Sequence, residues 1–283
     1  FLQGGRTESG GVGLHRTRGV LLVTQLALAT VLLVGAGLLL RSMANLQKVD
    51  FGFDPKNLLT ATVNLPRTRY KTTSLQAEFD EQVREKIAAI PGVLSVAGIS
   101  DPPLAGSNTY SFVIAGHPRP GPNPRENPVE IRAVTPGYFQ MIKLPLLEGR
   151  ALAASDRADA PLVVVINRTL ARTLFPGVNA VGQRISRVGQ GGPWMEIVGV
   201  VGDLKDAGAD RPAPPAIYSP YVQKTDLDLS ALTAVIRTAG DPGSIRDEVR
   251  RAFLAVDPEL PLRQLATMPA IYASRLAQRD FVT

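Results

Sequence analysis

The sequence predicts an α+β protein in which one uncharged helix leads into a mixed α/β domain. Three observations predict it. Gly19 to Leu40 is free of charge and is bracketed by Arg18 and Arg41. Two stretches near the ends of the remaining chain each read strand, helix, proline stop, strand. Between them lies a segment of different texture, rich in short apolar strands and prolines. With 45% hydrophobic and 20% charged residues, the chain reads as globular.

The uncharged run comes first. A bilayer core needs about 20 apolar helical residues, and Gly19–Leu40 supplies them. It is too long for the apolar part of a signal peptide, and Arg41-Ser42-Met43 is a poor cleavage site. A buried soluble helix of this length would show a polar stripe. A transmembrane helix over 19–41 is therefore expected. His15, Arg16 and Arg18 precede it, whereas Arg41 and Lys48 are soon joined by Asp50 and Asp54. The basic flank puts residues 1–18 in the cytoplasm and everything after Arg41 outside. Gln25 sits within the span, suited either to a partner helix or to the wetted interface.

Residues 42–56 form a connector with Gly52 and Pro55. Leu59–Leu65 is β-branched and reads as a strand ended by Pro66. Thr73 and Gln76 have the spacing of a capping box, and Leu75, Phe79, Val83 and Ile87 make one apolar helix face. Asp80 and Arg84 are read as a surface pair. Pro91-Gly92 stops the helix, and Val93–Ser100 returns as a strand. The later unit repeats the design: strand Leu232–Ile236, Asp241-Pro242 opening a helix, Ile245, Val249 and Phe253 on its inner face, Asp257-Pro258 closing it, and a strand over Leu262–Leu265. The two are read as βαβ-like units of an internal repeat.

Between them, His117–Pro128 holds five prolines and is read as an exposed loop. Val129–Val134, Leu162–Ile166, Glu196–Val201 and Ala216–Tyr218 read as strands. Asn167 is read as the N-cap of a short helix through Leu170 and Leu174, closed by Pro176-Gly177.

Composition excludes several chemistries. There is no cysteine, hence no disulfide or thiolate metal site. The only histidines, His15 and His117, lie far apart in the sequence, and no HExxH, GxSxG or Walker A pattern occurs. Gly189, Gly191 and Gly192 precede Pro193-Trp194 and fit a tight loop. Asp203 and Asp206 follow a buried strand and read as turn and cap carboxylates; Asp226 and Asp228 read as strand-approach charges. No catalytic, cofactor-binding or metal residue is assigned, and no enzyme activity or cofactor is expected. Half of the formal charge of +6 lies in residues 1–41, so the remainder is too dilute for a nucleic-acid footprint. Phe1-Leu2 without an initiator Met, and an end at Thr283 without a polar tail, suggest cuts through a longer polypeptide.

Five stretches carry a family resemblance: LLVTQLALATVLLVGAGLLLRSMANLQKVDFGFDPKNLL from Leu21, TPGYFQMIKLPLLEGRAL from Thr135, VVVINRTLARTLFPGVNAVGQRI from Val163, EIVGVVGDLKDAG from Glu196 and PAIYSPY from Pro215. In this order they resemble the periplasmic core domain of MacB-like and FtsX-like ABC transporter permeases, above all the large permeases with two fused modules. The resemblance runs from Arg18 to Thr283. It implies a porter-like subdomain of βαβ units over 57–134 and 227–275, a sabre-like inserted subdomain over 135–226, and an approach to a further transmembrane helix over 276–283. It implies placement in a bacterial inner membrane with the main domain in the periplasm. The implied partners are an ABC ATPase on a separate or fused subunit, a second permease module, and a periplasmic adaptor or cell-wall enzyme. It implies export or transmission of force. Gly149 and Gly182 are expected in turns, and Tyr138, Phe139 and Leu146 in the core. A membrane-tethered binding or scaffold module without transport is the competing expectation. The insert is expected to move as a lever with no strap of its own, hinged at the proline loop and at Gln223–Leu229.

Overall fold

In a computed structural model the described residues are 22, 25–37, 51–103, 108–115, 128–187, 193–205, 212–223, 231–272 and 274. The chain divides into two units, Phe1–Val49 and Asp50–Thr283. In the first, residues 25–37 are helical, and Leu26, Leu28, Val31, Leu32, Leu33 and Val34 are exposed. Among the described residues no helix is long and apolar enough to cross a membrane. The ends of the expected span, 19–21 and 38–41, lie outside them.

The second unit carries twelve described strands in one sheet. They are β1 (Leu58–Asn64), β2 (Val93–Ile99), β3 (Asn108–Tyr110), β4 (Phe112–Ile114), β5 (Val129–Val134), β6 (Leu146–Gly149), β7 (Val163–Asn167), β8 (Arg184–Arg187), β9 (Met195–Val201), β10 (Ala216–Pro220), β11 (Ala231–Thr238) and β12 (Leu262–Thr267). The helices are α1 (Thr73–Ala88), α2 (Tyr138–Ile142), α3 (Arg168–Leu174) and α4 (Arg246–Leu254), the last preceded by a 3-10 turn, Pro242–Ile245.

The two βαβ-like units interleave. The order is β12-β1-β11-β2, with every neighbouring pair antiparallel. β1 and β2 thus run parallel with β11 between them, and β11 and β12 run parallel with β1 between them. This is the split βαβ arrangement of a ferredoxin-like fold. The long insertion between β2 and β11 continues the same sheet through a single register pair, Ile99 with Val134. Beyond it the sheet is mixed: β5 and β10 are parallel, as are β7 and β9.

Two cores result. One lies between the four-stranded unit and helices α1 and α4, built from Leu59, Ala61, Val63, Phe79, Val83, Ile87, Leu232, Ile236, Val249 and Phe253. The other gathers Val164, Ile166, Leu170, Phe175, Ile197 and Ile217 with Phe112, Val129 and Ile131. It therefore draws on chain both before and after Thr135. Ala133 and Tyr221, at the two ends of the inserted strands, belong to the first core.

Several local expectations hold. Asn167 caps α3, its side chain accepting from Leu170 N at 2.9 Å. Gly182 lies in a turn with φ +87°, open to glycine at little cost; Gly149, also expected in a turn, instead ends β6, with φ +68°. Others need correction. The cap of α1 is Thr72, one residue before Thr73, and Gln76 donates to the Tyr70 carbonyl rather than closing a capping box. Leu75 is 43% exposed because it lies in the first turn, beyond the reach of α4. Leu146 is also 43% exposed, on a strand that the sheet covers on one edge only. Asp80 is 2% exposed: its pair with Arg84, at 2.6 Å, sits under the helix rather than on the surface. Gly98 makes room for it, since a Cβ there would collide with Asp80 Oδ1.

Candidate functional site: a joint around Arg237

The connector residues Phe51–Lys56 meet both parts of the domain. Gly52 has φ +79°, and a Cβ on it would strike the Asp203 carbonyl oxygen, so the backbone passes against the chain after β9. Lys205 N donates to Phe51 O at 3.1 Å, and Asp54 N donates to Ile142 O at 3.0 Å. Phe51 packs edge-on against Tyr272, centroids 4.7 Å apart, after β12. One short segment thus touches the end of β9, the end of α2 and the chain beyond β12.

Arg237, near the end of β11, is the hub. Its Nε donates to Met141 O at 2.7 Å, Nη1 to Lys56 O at 2.9 Å and Nη2 to Asp54 O at 2.9 Å. Only a planar guanidinium presents donors in several fixed directions at once. The Asp54 carboxylate lies 3.6 Å from Arg237 and 2.7 Å from Lys143 Nζ. Burial alone would raise this carboxyl. The Lys143 hydrogen bond, the Lys56 amide and the Arg237 charge outweigh that and hold it below the ordinary carboxylate range. Two non-glycine residues adopt positive φ beside the hub, Asn57 at 53° and Lys143 at 59°. Such strain persists where surrounding contacts impose it. The insert is therefore strapped directly to the connector, against the expectation that it has no strap: α2 and the chain after β9 both bind residues 51–54.

Polar side chains pin the insert's interior. Asn167 Oδ1 accepts from Ala216 N as well as Leu170 N, and its Nδ2 donates to Pro214 O at 2.8 Å. Gln223, expected at a hinge, is buried. Its Oε1 accepts from Val163 N, and its Nε2 donates to Arg157 O and Pro161 O. Residues 224–229 and 117–127 lie outside the described residues.

Two further polar groupings exist. Asp80 has its carboxyl pushed up by burial, offset in part by Arg84. Its Oδ1 and the hydroxyl of Tyr221 are buried without a hydrogen-bond partner among the described residues. A cleft of about 350 Å³ is lined by Thr62, Thr233, Ser100, Asp101, Arg263 and Gln264. In it the Thr62 and Thr233 hydroxyls lie 2.9 Å apart. Burial raises the Asp101 carboxyl, against a hydrogen bond from Ser100 and the charge of Arg132.

Of the residues weighed for chemistry from sequence, Asp203 caps α3, accepting from Thr169 N at 2.9 Å. His15, His117, Asp206, Asp226, Asp228, Gly189, Gly191 and Gly192 lie outside the described residues. Among the described residues no group of three His, Cys, Asp or Glu could hold a metal. Arg237 was missed. Its signal was an arginine inside the otherwise apolar run LTAVIRT.

The family described as MacB-like periplasmic core domain matches residues 20–252. The crystal structure of the periplasmic region of MacB from Actinobacillus actinomycetemcomitans is similar, with 15% identity, 79% of this chain and 94% of that chain covered, and a TM-score of 0.52. A domain of a putative permease protein from Porphyromonas gingivalis has 14% identity, coverage of 76% and 92%, and a TM-score of 0.47. The extracellular domain of the noncanonic ABC-type transporter YknZ from Gram-positive bacteria has 13% identity, coverage of 73% and 100%, and a TM-score of 0.46. No curated protein matches.

Proposed function

Because the chain belongs to the family of MacB-like periplasmic core domains, we propose that it is the moving outer module of an ABC transporter permease, coupling ATP hydrolysis in the cytoplasm to work in the periplasm. The proposed setting is a bacterial inner membrane, with residues 19–41 as the span. An ABC ATPase on a separate or fused subunit supplies the energy, and a second permease module completes the transporter. A periplasmic adaptor or a cell-wall enzyme receives the motion. The chain itself hydrolyses nothing.

The observation that supports this reading is the joint. A tether needs only a flexible connector. Here the connector is fixed to α2, to the chain after β9 and to β11, with Phe51 against Tyr272. A displacement of residue 51 therefore reaches both cores without a mobile link between them. The three bonds that Arg237 makes as a charged donor contribute about 1.5–3 kcal/mol each.

This chain has no cysteine, and a complete transporter freed of any cysteine elsewhere allows a direct test. In the complete transporter, Ser155→Cys on the exposed loop of the insert carries a fluorophore, and lipids carry the acceptor. Nucleotide addition is expected to change the energy transfer, and Arg237→Ala to abolish that change while ATP hydrolysis continues. Transfer that ignores nucleotide in the native transporter would favour the scaffold reading instead.

A further inference from the structure

We propose that the groove between β6 and α3 receives an extended, acidic segment of a partner protein. The groove has a volume of about 460 Å³, within the range of about 300–1,000 Å³ typical of ligand clefts. All four residues of β6 are exposed, and among the described strands it pairs only with β9. Its outer edge can accept another strand. The stretch Leu146-Leu147-Glu148-Gly149 holds no lysine or proline to block such pairing. Leu147 is 40% and Val178 62% exposed on the two walls, with Phe175 between them.

Charge names the occupant. Arg168 and Arg172 stand one helical turn apart on the rim, and neither has a carboxylate partner among the described residues. Elsewhere in this unit Arg69, Arg84, Arg150 and Arg237 are each held by carboxylates. Glu148 is the groove's only acidic side chain. On a helix, residues four apart have Cβ atoms about 5–6 Å apart. On a strand, residues two apart are separated by about 7 Å. Two carboxylates at alternate positions of an added strand therefore come within reach of the two long arginine side chains. A second copy of this chain fits poorly, because two-fold pairing at β6 would set arginines against arginines. The proposal is independent of the joint: it concerns what docks on the insert, not what moves it.

The test uses the full chain and a capped, fluorescein-labelled eight-residue peptide of alternating glutamate and valine, with a lysine–valine peptide as control. Fluorescence anisotropy should show saturable binding of the acidic peptide that weakens as salt rises. Arg168→Glu with Arg172→Glu, and separately Leu147→Asp, should weaken it by about tenfold or more, which corresponds to about 1.4 kcal/mol. Arg168→Lys with Arg172→Lys, which keeps the charge, should stay within about threefold, or roughly 0.65 kcal/mol. Melting curves matching the native chain exclude misfolding. The proposal is overturned by absent saturable binding, by equal binding of the lysine peptide, or by indifference to charge reversal. It is equally overturned if the native chain is a dimer that Leu147→Asp makes monomeric.

Discussion

In the four-stranded unit, strands that touch come from opposite ends of the domain: Thr62 meets Thr233 and Thr60 meets Ala266, 171 and 206 positions apart. In the insert the pairing is far more local, as when Val163 lies against Glu196. The means of fastening differ too. The first unit closes on a seam of apolar side chains from β1, β11, α1 and α4. The insert adds buried amides, Asn167 and Gln223, each making three hydrogen bonds to backbone groups of separate segments. The difference follows from how far each ladder extends. The antiparallel, interleaved unit satisfies its backbone along full-length strand pairs. The antiparallel pair β7–β10 has only two register pairs, and Asn167 at one end and Gln223 at the other give side-chain partners to backbone groups the ladder leaves over. The first unit thus depends on both chain ends being brought together, and the insert on a few polar nails.

Four substitutions sharpen the contrast. The largest effect is expected at Asn167, where Ala removes a cap and two cross-segment bonds, for a loss of about 3 kcal/mol in urea unfolding. Asn167→Asp keeps the acceptor but loses the donor and sets a carboxylate against Pro214 O, so it should cost about 1–2 kcal/mol. Equal losses for the two would remove the acceptor, and with it the cap, from the account, whereas no loss for Asp would remove the donor. A cap in the four-stranded unit should matter less: Thr72 is exposed and accepts only from Leu75 N, so Thr72→Ala should cost about 1 kcal/mol. Thr73→Ala should stay within about 0.5 kcal/mol. A reversal between these two would restore Thr73 as the cap.

The smallest net change is expected at Asp80. Its folded carboxyl is raised by burial, so the folded state holds this proton more tightly than the unfolded chain does. The penalty of burying the charge is fully felt above the folded pKa. It is relieved as pH falls through that value towards the unfolded one, about 3.9. Asp80→Asn should therefore leave neutral-pH stability little changed or improved, since Arg84 is partly solvated. It should also remove this relief on the acid side. The variant should therefore lose stability more steeply in acid than the native chain, and a shallower acid-side loss would contradict the assignment.

The elements of both regions could be read from periodicity and turn residues, because each depends on local sequence. The proline stop before Gly92, the Asp241-Pro242 opening and the Asn167 cap are short-range signals. The interleaving of β1, β11, β2 and β12 was not legible, because strand order depends on partners over 170 positions away. Nor was the strap on the insert. Two of its bonds, Asp54 N to Ile142 O and Lys205 N to Phe51 O, are backbone to backbone and leave no mark on residue type. The buried place of Asp80 was hidden because its i,i+4 arginine imitates a surface pair, and only Gly98 across the sheet makes the space. Exposed Leu146 matched a core expectation in every local respect and differed only in lying on an edge strand.

Residues 51–56 hold both regions together through Arg237. Amide exchange in native chain and Arg237→Ala tests this most directly. Two reporter amides lie on the insert side of the joint, Asp54 bonded to Ile142 O and Lys205 bonded to Phe51 O. Both are predicted to exchange about tenfold faster or more in the variant, while protection at Thr62 in β1 and Val164 in β7 falls much less. If Asp54 and Lys205 keep their protection, or if all four lose it equally, Arg237 is an ordinary stabilising residue and the joint does not exist as described.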